Sequence, residues 1–111
     1  MRTLNLLVLR SADMSRARHF YEMLGLRFVS HAHGTGPEHL AHEDERGVFE
    51  IYPANASKDA DMIGLGFSVD NLESMHASLA EFSPKPIRDE AWGRTFVVRD
   101  PDGRRVEIKQ G

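Results

Sequence analysis

Two short segments of this chain share a pattern. Val48-Phe49-Glu50-Ile51-Tyr52 and Arg105-Val106-Glu107-Ile108-Lys109 each set a glutamate between two apolar neighbours in strand-like alternation. Glu50 and Glu107 stand 57 positions apart, and Asp13 and Asn71, each placed to open a helix, stand 58 apart. Nearly equal offsets in 111 residues imply a duplicated module of about half the chain. Copies of a module commonly pack about a two-fold axis, which brings matching strand positions face to face. The expectation is that Glu50 and Glu107 open onto one central cup.

Each half carries the same element order. Leu4 to Leu9 is a short apolar run that predicts a largely buried strand. Asp13 or Ser15 can then cap a helix, because their side chains accept the free N–H groups of a first turn. Ala17, Phe20, Tyr21 and Leu24 fall on one helical face, and Gly25 sits where a left-handed cap is expected. Strands are predicted at 26–33, 38–43 and 48–53, separated by turn-forming residues. In the second half Ile63 to Val69 reads as a strand, and Asp70 or Asn71 caps a helix whose apolar face is Leu72, Met75, Leu79 and Phe82. Pro84 and Pro86 stop it. Strands at 86–89, 94–99 and 105–109 follow, the last two joined by Asp100-Pro101-Asp102-Gly103, a turn set by the fixed φ of proline and the tolerance of glycine for positive φ. The organisation is one α+β domain, 1–111, with module one at 1–53, a small polar linker at 54–61 and module two at 62–111.

Composition narrows the function. A net charge of −3 argues against a polyanion partner such as nucleic acid. The chain has no cysteine, so thiolate nucleophiles, thiolate metal sites and disulfides are excluded. The leading apolar run is too short for a signal peptide or a bilayer span, so no membrane role and a cytoplasmic location are expected. Gly34-Thr35-Gly36 lacks the spacing of a phosphate loop.

Two βαβββ modules in one short chain resemble the vicinal oxygen chelate superfamily of glyoxalases, bleomycin-resistance proteins and extradiol dioxygenases. Leu9-Arg10-Ser11-Ala12-Asp13 followed by Phe20-Tyr21 and Leu24-Gly25 is similar to the family's opening strand and helix, and Arg99-Asp100-Pro101-Asp102-Gly103 before Val106-Glu107-Ile108 to its closing hairpin. The resemblance implies pseudo-two-fold modules forming a curved mixed sheet with a central cup, and usually a homodimer. In metal-dependent members, ligands occupy four strand positions, which here are Leu6, Glu50, Gly64 and Glu107. Both carboxylates are present and both imidazole positions lack a donor atom. Zinc, nickel and iron favour sites richer in imidazole, so no transition metal or other cofactor is expected. A divalent cation such as Mg²⁺ or Mn²⁺ on Glu50 and Glu107, with water or substrate oxygens, is the alternative.

Other residues fill out the expected site. His31, His33, His39 and His42 cluster on two strands. If the turn at 44–47 is tight, His39 opposes Tyr52 and Ala41 opposes Glu50 on one face, while His42 opposes Phe49 on the other. Arg10 lies four residues beyond Leu6 on the same face; the resemblance implies contact with a substrate carboxylate, and an ion pair with Glu50 or Glu107 is the plain structural reading. Trp92, beside Gly93, suits a lid over a flat ligand or an interface. Gly64, Gly66 and Ser68 line one side of their strand and either admit a neighbouring backbone or widen the cup. The ligand-binding set is thus Arg10, His39, Tyr52 and Trp92, with Glu50 and Glu107 as candidate catalytic groups. The leading function is metal-free binding of a small organic molecule. The alternative is a divalent-metal-dependent lyase or isomerase resembling lactoylglutathione lyase, moving a proton next to a carbonyl. Enzyme and binding protein both remain open at this point, as does a vestigial site in a self-associating domain.

Overall fold

The computed structural model describes residues 4–32, 34–54 and 63–111. Most of the expected linker and His33 lie outside the described residues. The chain divides into two compact units, Met1–Asp61 and Met62–Gly111.

The first unit holds β1 (Leu6–Ser11), α1 (Met14–Met23), β2 (Val29–His31), β3 (His39–Asp44) and β4 (Gly47–Pro53), and its sheet runs β1-β4-β3-β2. β1 and β4 are parallel, and the other pairs are antiparallel. The crossover between the parallel pair carries α1. Asp13 caps this helix, its carboxylate accepting from the Arg16 amide at 3.1 Å. Gly25 at φ 102° ends it in the left-handed conformation that glycine tolerates. Leu9, Phe49, Ile51 and Leu40 turn toward α1 and bury with Ala17, Phe20 and Tyr21. Phe49 meets Tyr21 at a tilt and Phe28 edge to face, with centroids 5.1 and 5.7 Å apart. β2 is shorter than expected because residues 26–28 are held by helix contacts instead. Glu22 accepts from the Phe28 amide, and Arg18 donates to the Phe28 carbonyl at 2.8 Å.

The turn between β3 and β4 is tight, pairing Asp44 with Gly47. Gly47 is required there, since it lies at φ 148° and a Cβ would sit 2.1 Å from the Asn5 carbonyl oxygen. The resulting register places Ala41 beside Glu50 and His42 beside Phe49, as the sequence predicts.

The second unit repeats the order: β5 (Leu65–Val69), α2 (Leu72–Ser78), β6 (Arg88–Glu90), β7 (Gly93–Arg99) and β8 (Arg105–Gln110), with the sheet order β5-β8-β7-β6. Asn71 caps α2 through the Ser74 amide. The expected single helix is broken: Leu79 departs from helical geometry and Ala80–Phe82 forms a 3₁₀ turn ahead of Pro84. Leu72, Leu79, Phe96, Val98, Val106 and Ile108 form the core. His76, which a helix-surface position would leave exposed, packs edge-on to Phe96 at 4.9 Å and donates to the Lys85 carbonyl. Asp100 and Arg104 close the β7–β8 turn as a buried ion pair at 2.9 Å.

Candidate functional site

Alternation along each strand sends one set of side chains to α1 and the other to the helix-free face of the sheet. In the first unit the register makes that face a grid. One row, running across β1, β4, β3 and β2, is Arg10, Tyr52, His39 and His31. The next is Val8, Glu50, Ala41 and Val29. The third is Leu6, Val48 and Glu43.

The first row is a column of stacked groups. The rings of His39 and Tyr52 lie 4.3 Å apart and 5° from parallel. The Arg10 guanidinium carbon lies 5.0 Å from the Tyr52 ring centroid, within cation–π range. His31 approaches His39 at 6.1 Å. His39 is 2% exposed. Its Nε2 lies 3.3 Å from Glu50 Oε2, and its Nδ1 faces the Pro37 carbonyl at 3.4 Å. The Glu50 side chain is 20% exposed. Its ion-pair partner among the described residues is His39, while its neighbours in the same row are apolar. Thus Arg10, His39, Glu50 and Tyr52, four of the residues singled out from sequence, come together on one sheet. His42 turns to the opposite face, where Nδ1 accepts from the Arg27 amide and Nε2 bonds Asp44.

In the second unit Glu107 takes the position that Glu50 holds in the first. Glu50 pairs with Val8 on its parallel neighbour, and Glu107 pairs with Gly66. The surroundings differ. Arg105 Nη2 lies 4.0 Å from Glu107 Oε2, and Lys109 and Arg99 share the same face by register. Sequence reading overlooked these cations, although the alternation Arg105, Glu107, Lys109 carries the signal. Gly64 and Gly66 are not forced by close packing: a Cβ at Gly64 would meet nothing within 4 Å among the described residues, and one at Gly66 only the Glu107 carbonyl oxygen at 3.9 Å. Trp92 stands 55% exposed in the turn between β6 and β7. Three residues of β7 lie between Gly93 and Val97, the partner of Glu107, so the register of the second unit does not place Trp92 beside that carboxylate.

A cleft of about 360 Å³ opens on the helix side of the first unit, between α1 and β2–β3, with Met14, Ser15, Arg18, Ser30, Glu38, His39 and Leu40 in its walls. Three of its polar groups are already engaged. Ser30 donates to Glu38, and Arg18 is held by Glu22 and the Phe28 carbonyl. A ligand there would have to break these bonds, so the helix-free face is the better candidate.

A sequence profile of the Glyoxalase/Bleomycin resistance protein/Dioxygenase superfamily matches residues 3–108. The chain belongs to that superfamily. Solved structures agree on the fold. An antibiotic binding protein, TnmS3, from Streptomyces sp. CB03234 is 19% identical with a TM-score of 0.79, over 99% of this chain and 96% of that one. The lactoylglutathione lyase from Agrobacterium tumefaciens is 17% identical with a TM-score of 0.70, over 98% and 93%. An integron cassette protein from V. Cholerae is 26% identical with a TM-score of 0.64, over 97% and 94%. A comparison with curated proteins gives no match.

Of the four positions at which the resemblance implies metal ligands, two carry a carboxylate and two carry no donor. Leu6 and Gly64 carry no donor atom. Glu50 is engaged by His39, and Glu107 lies on a face shared with Arg105, Lys109 and Arg99, which repel a cation. Among the described residues no group of three His, Cys, Asp or Glu is placed to hold a metal ion.

Proposed function

We propose that this protein binds a small organic molecule on the helix-free faces of its sheets, without a transition metal. The observation that carries this reading is the assembly of Arg10, Tyr52, His39 and Glu50 into one pre-ordered polar and aromatic surface, in a chain with Leu6 and Gly64 at two of the four metal-ligand positions the resemblance implies. A rigid surface of this kind favours binding because little side-chain entropy is lost when a ligand arrives. On the second module, described by itself, Glu107 and Trp92 are the proposed ligand contacts, and Glu50 and Glu107, each on its own sheet, are the groups to which any proton transfer would fall. The similarity to an antibiotic binding protein supports a sequestering role. We further propose a cytoplasmic homodimer. Two-fold dimers are the commonest soluble oligomers, and Leu4, Leu6 and Val29 leave apolar side chains exposed on or beside the edge strands.

The test is a thermal-shift screen of aromatic and drug-like compounds, with elemental analysis of protein purified without added metal. Binding at 100 times Kd stabilises by about 2.7 kcal/mol, well within detection. The expected result is stabilisation by organic compounds that is lost in the Glu50→Gln/Tyr52→Phe double variant. A stoichiometric transition metal that supports lyase or isomerase turnover would overturn the reading.

A further inference from the structure

Tyr52 has both faces of its ring covered. β4 lies between β1 and β3, and the two neighbours contribute Arg10 on one side at 5.0 Å and His39 on the other at 4.3 Å. No room is left for a ligand ring to stack on Tyr52. What it presents is the edge of the ring and the phenol hydroxyl. Two residues away on the same face, Glu50 uses Oε2 for His39. Oε1 makes no hydrogen bond among the described residues, and Val8 and Ala41 flank it in register. A carboxylate between apolar neighbours is poorly hydrated and attracts a donor strongly. Arg10, the nearest strong cation in the grid, is drawn over the tyrosine ring and so belongs to the scaffold of the site.

We propose that the first module recognises the donor end of its ligand, an amidinium or ammonium group, through Glu50 Oε1, with the Tyr52 hydroxyl as the second contact. His39 is a positioning residue: it fixes the Glu50 carboxylate through Nε2 and fixes the tyrosine ring by stacking. This deepens the proposed small-molecule function and rests on it. The charged and titratable groups on this face are Arg10, His31, His39, Glu43, Glu50 and Tyr52, and Glu50 is the carboxylate flanked on both neighbouring strands by apolar residues, Val8 and Ala41.

Amide NMR titrations of the full chain with benzamidinium, neutral benzamide and benzoate test the assignment. Benzamidinium is expected to shift the β4 and β3 amides around Glu50 and to bind at least tenfold tighter than benzoate, with benzamide between. Glu50→Gln should weaken benzamidinium tenfold or more. Tyr52→Phe, which keeps the stacked column, should weaken it about threefold. Tighter binding of benzoate that is lost in Arg10→Met would overturn the ligand class and leave small-molecule binding standing. Silence of this face toward all three probes and toward a compound library would overturn both. Unchanged benzamidinium affinity in folded Glu50→Gln would remove Glu50 from recognition.

Discussion

The imidazole of His39 lies flat against the ring of Tyr52, 4.3 Å away and 5° from parallel, while its Nε2 reaches Glu50 at 3.3 Å. One buried histidine therefore orients both an aromatic ring and a carboxylate. Replacing it should loosen both. His39→Ala is expected to lower stability by about 1–3 kcal/mol in urea denaturation, from the lost stack and the lost bond to a charged group. Tyr52→Phe removes only a hydroxyl with no partner among the described residues and should change stability by less than about 0.5 kcal/mol.

Arg10 over Tyr52 is an exposed cation–π pair. A double-mutant cycle with Arg10→Met and Tyr52→Leu should return a coupling of about 0.5–1 kcal/mol in denaturant unfolding. A coupling near zero would show that the guanidinium is held by other contacts.

Glu22 ties α1 to the start of β2. Its pKa is lowered, chiefly by the bond from the Phe28 amide; burial opposes this, and Arg18 and Arg27 add smaller lowering effects. A carboxylate with a depressed folded pKa stabilises fully above its unfolded value, and the stabilisation is lost as pH falls through the folded one. Glu22→Gln should therefore cost about 1 kcal/mol near neutral pH, with a difference from the parent that shrinks below about pH 4.5. Thermal denaturation across pH 3–7 checks the sign.

Arg104 and Asp100 are 1% and 0% exposed in their side chains. Asp100 also accepts from the Asp102 and Arg104 amides, so the pair shapes the turn as well as neutralising itself. Arg104→Met leaves a buried carboxylate uncompensated and should cost about 3–5 kcal/mol. Adding Asp100→Asn should recover part of that loss, measured by equilibrium unfolding of the double variant.

Gly47→Ala tests the β3–β4 turn. The new methyl would collide with the Asn5 carbonyl in a backbone conformation that already disfavours alanine. A loss of roughly 2–4 kcal/mol is expected in thermal unfolding.

Much of this architecture was legible in the residues, because duplication makes each half a check on the other. The matched Glu50 and Glu107 segments, the caps at Asp13 and Asn71, and the tight Asp44–Gly47 turn are local signals, and strand parity turned the last into the His39–Tyr52 and Ala41–Glu50 pairing. Three features were not readable. The extent of β2 depends on Glu22 and Arg18 capturing Phe28, a contact between helix and strand edge. The break in the second helix depends on how Leu79 packs. The stacking of Arg10 and His39 on either side of Tyr52 depends on rotamers, which residue order does not encode. Trp92 lies in the β6–β7 turn, off the β7–β8 register that positions Glu107.

Corresponding positions of the two sheets map one to one: Arg10 to Ser68, Tyr52 to Lys109, His39 to Thr95, Val8 to Gly66 and Ala41 to Val97. The halves are copies in backbone but not in surface chemistry, and that separates two design problems usually entangled. Side chains can be transplanted from one lattice to its twin without redrawing a turn or a register, so either board can be rewritten for a new ligand while the other serves as an internal control.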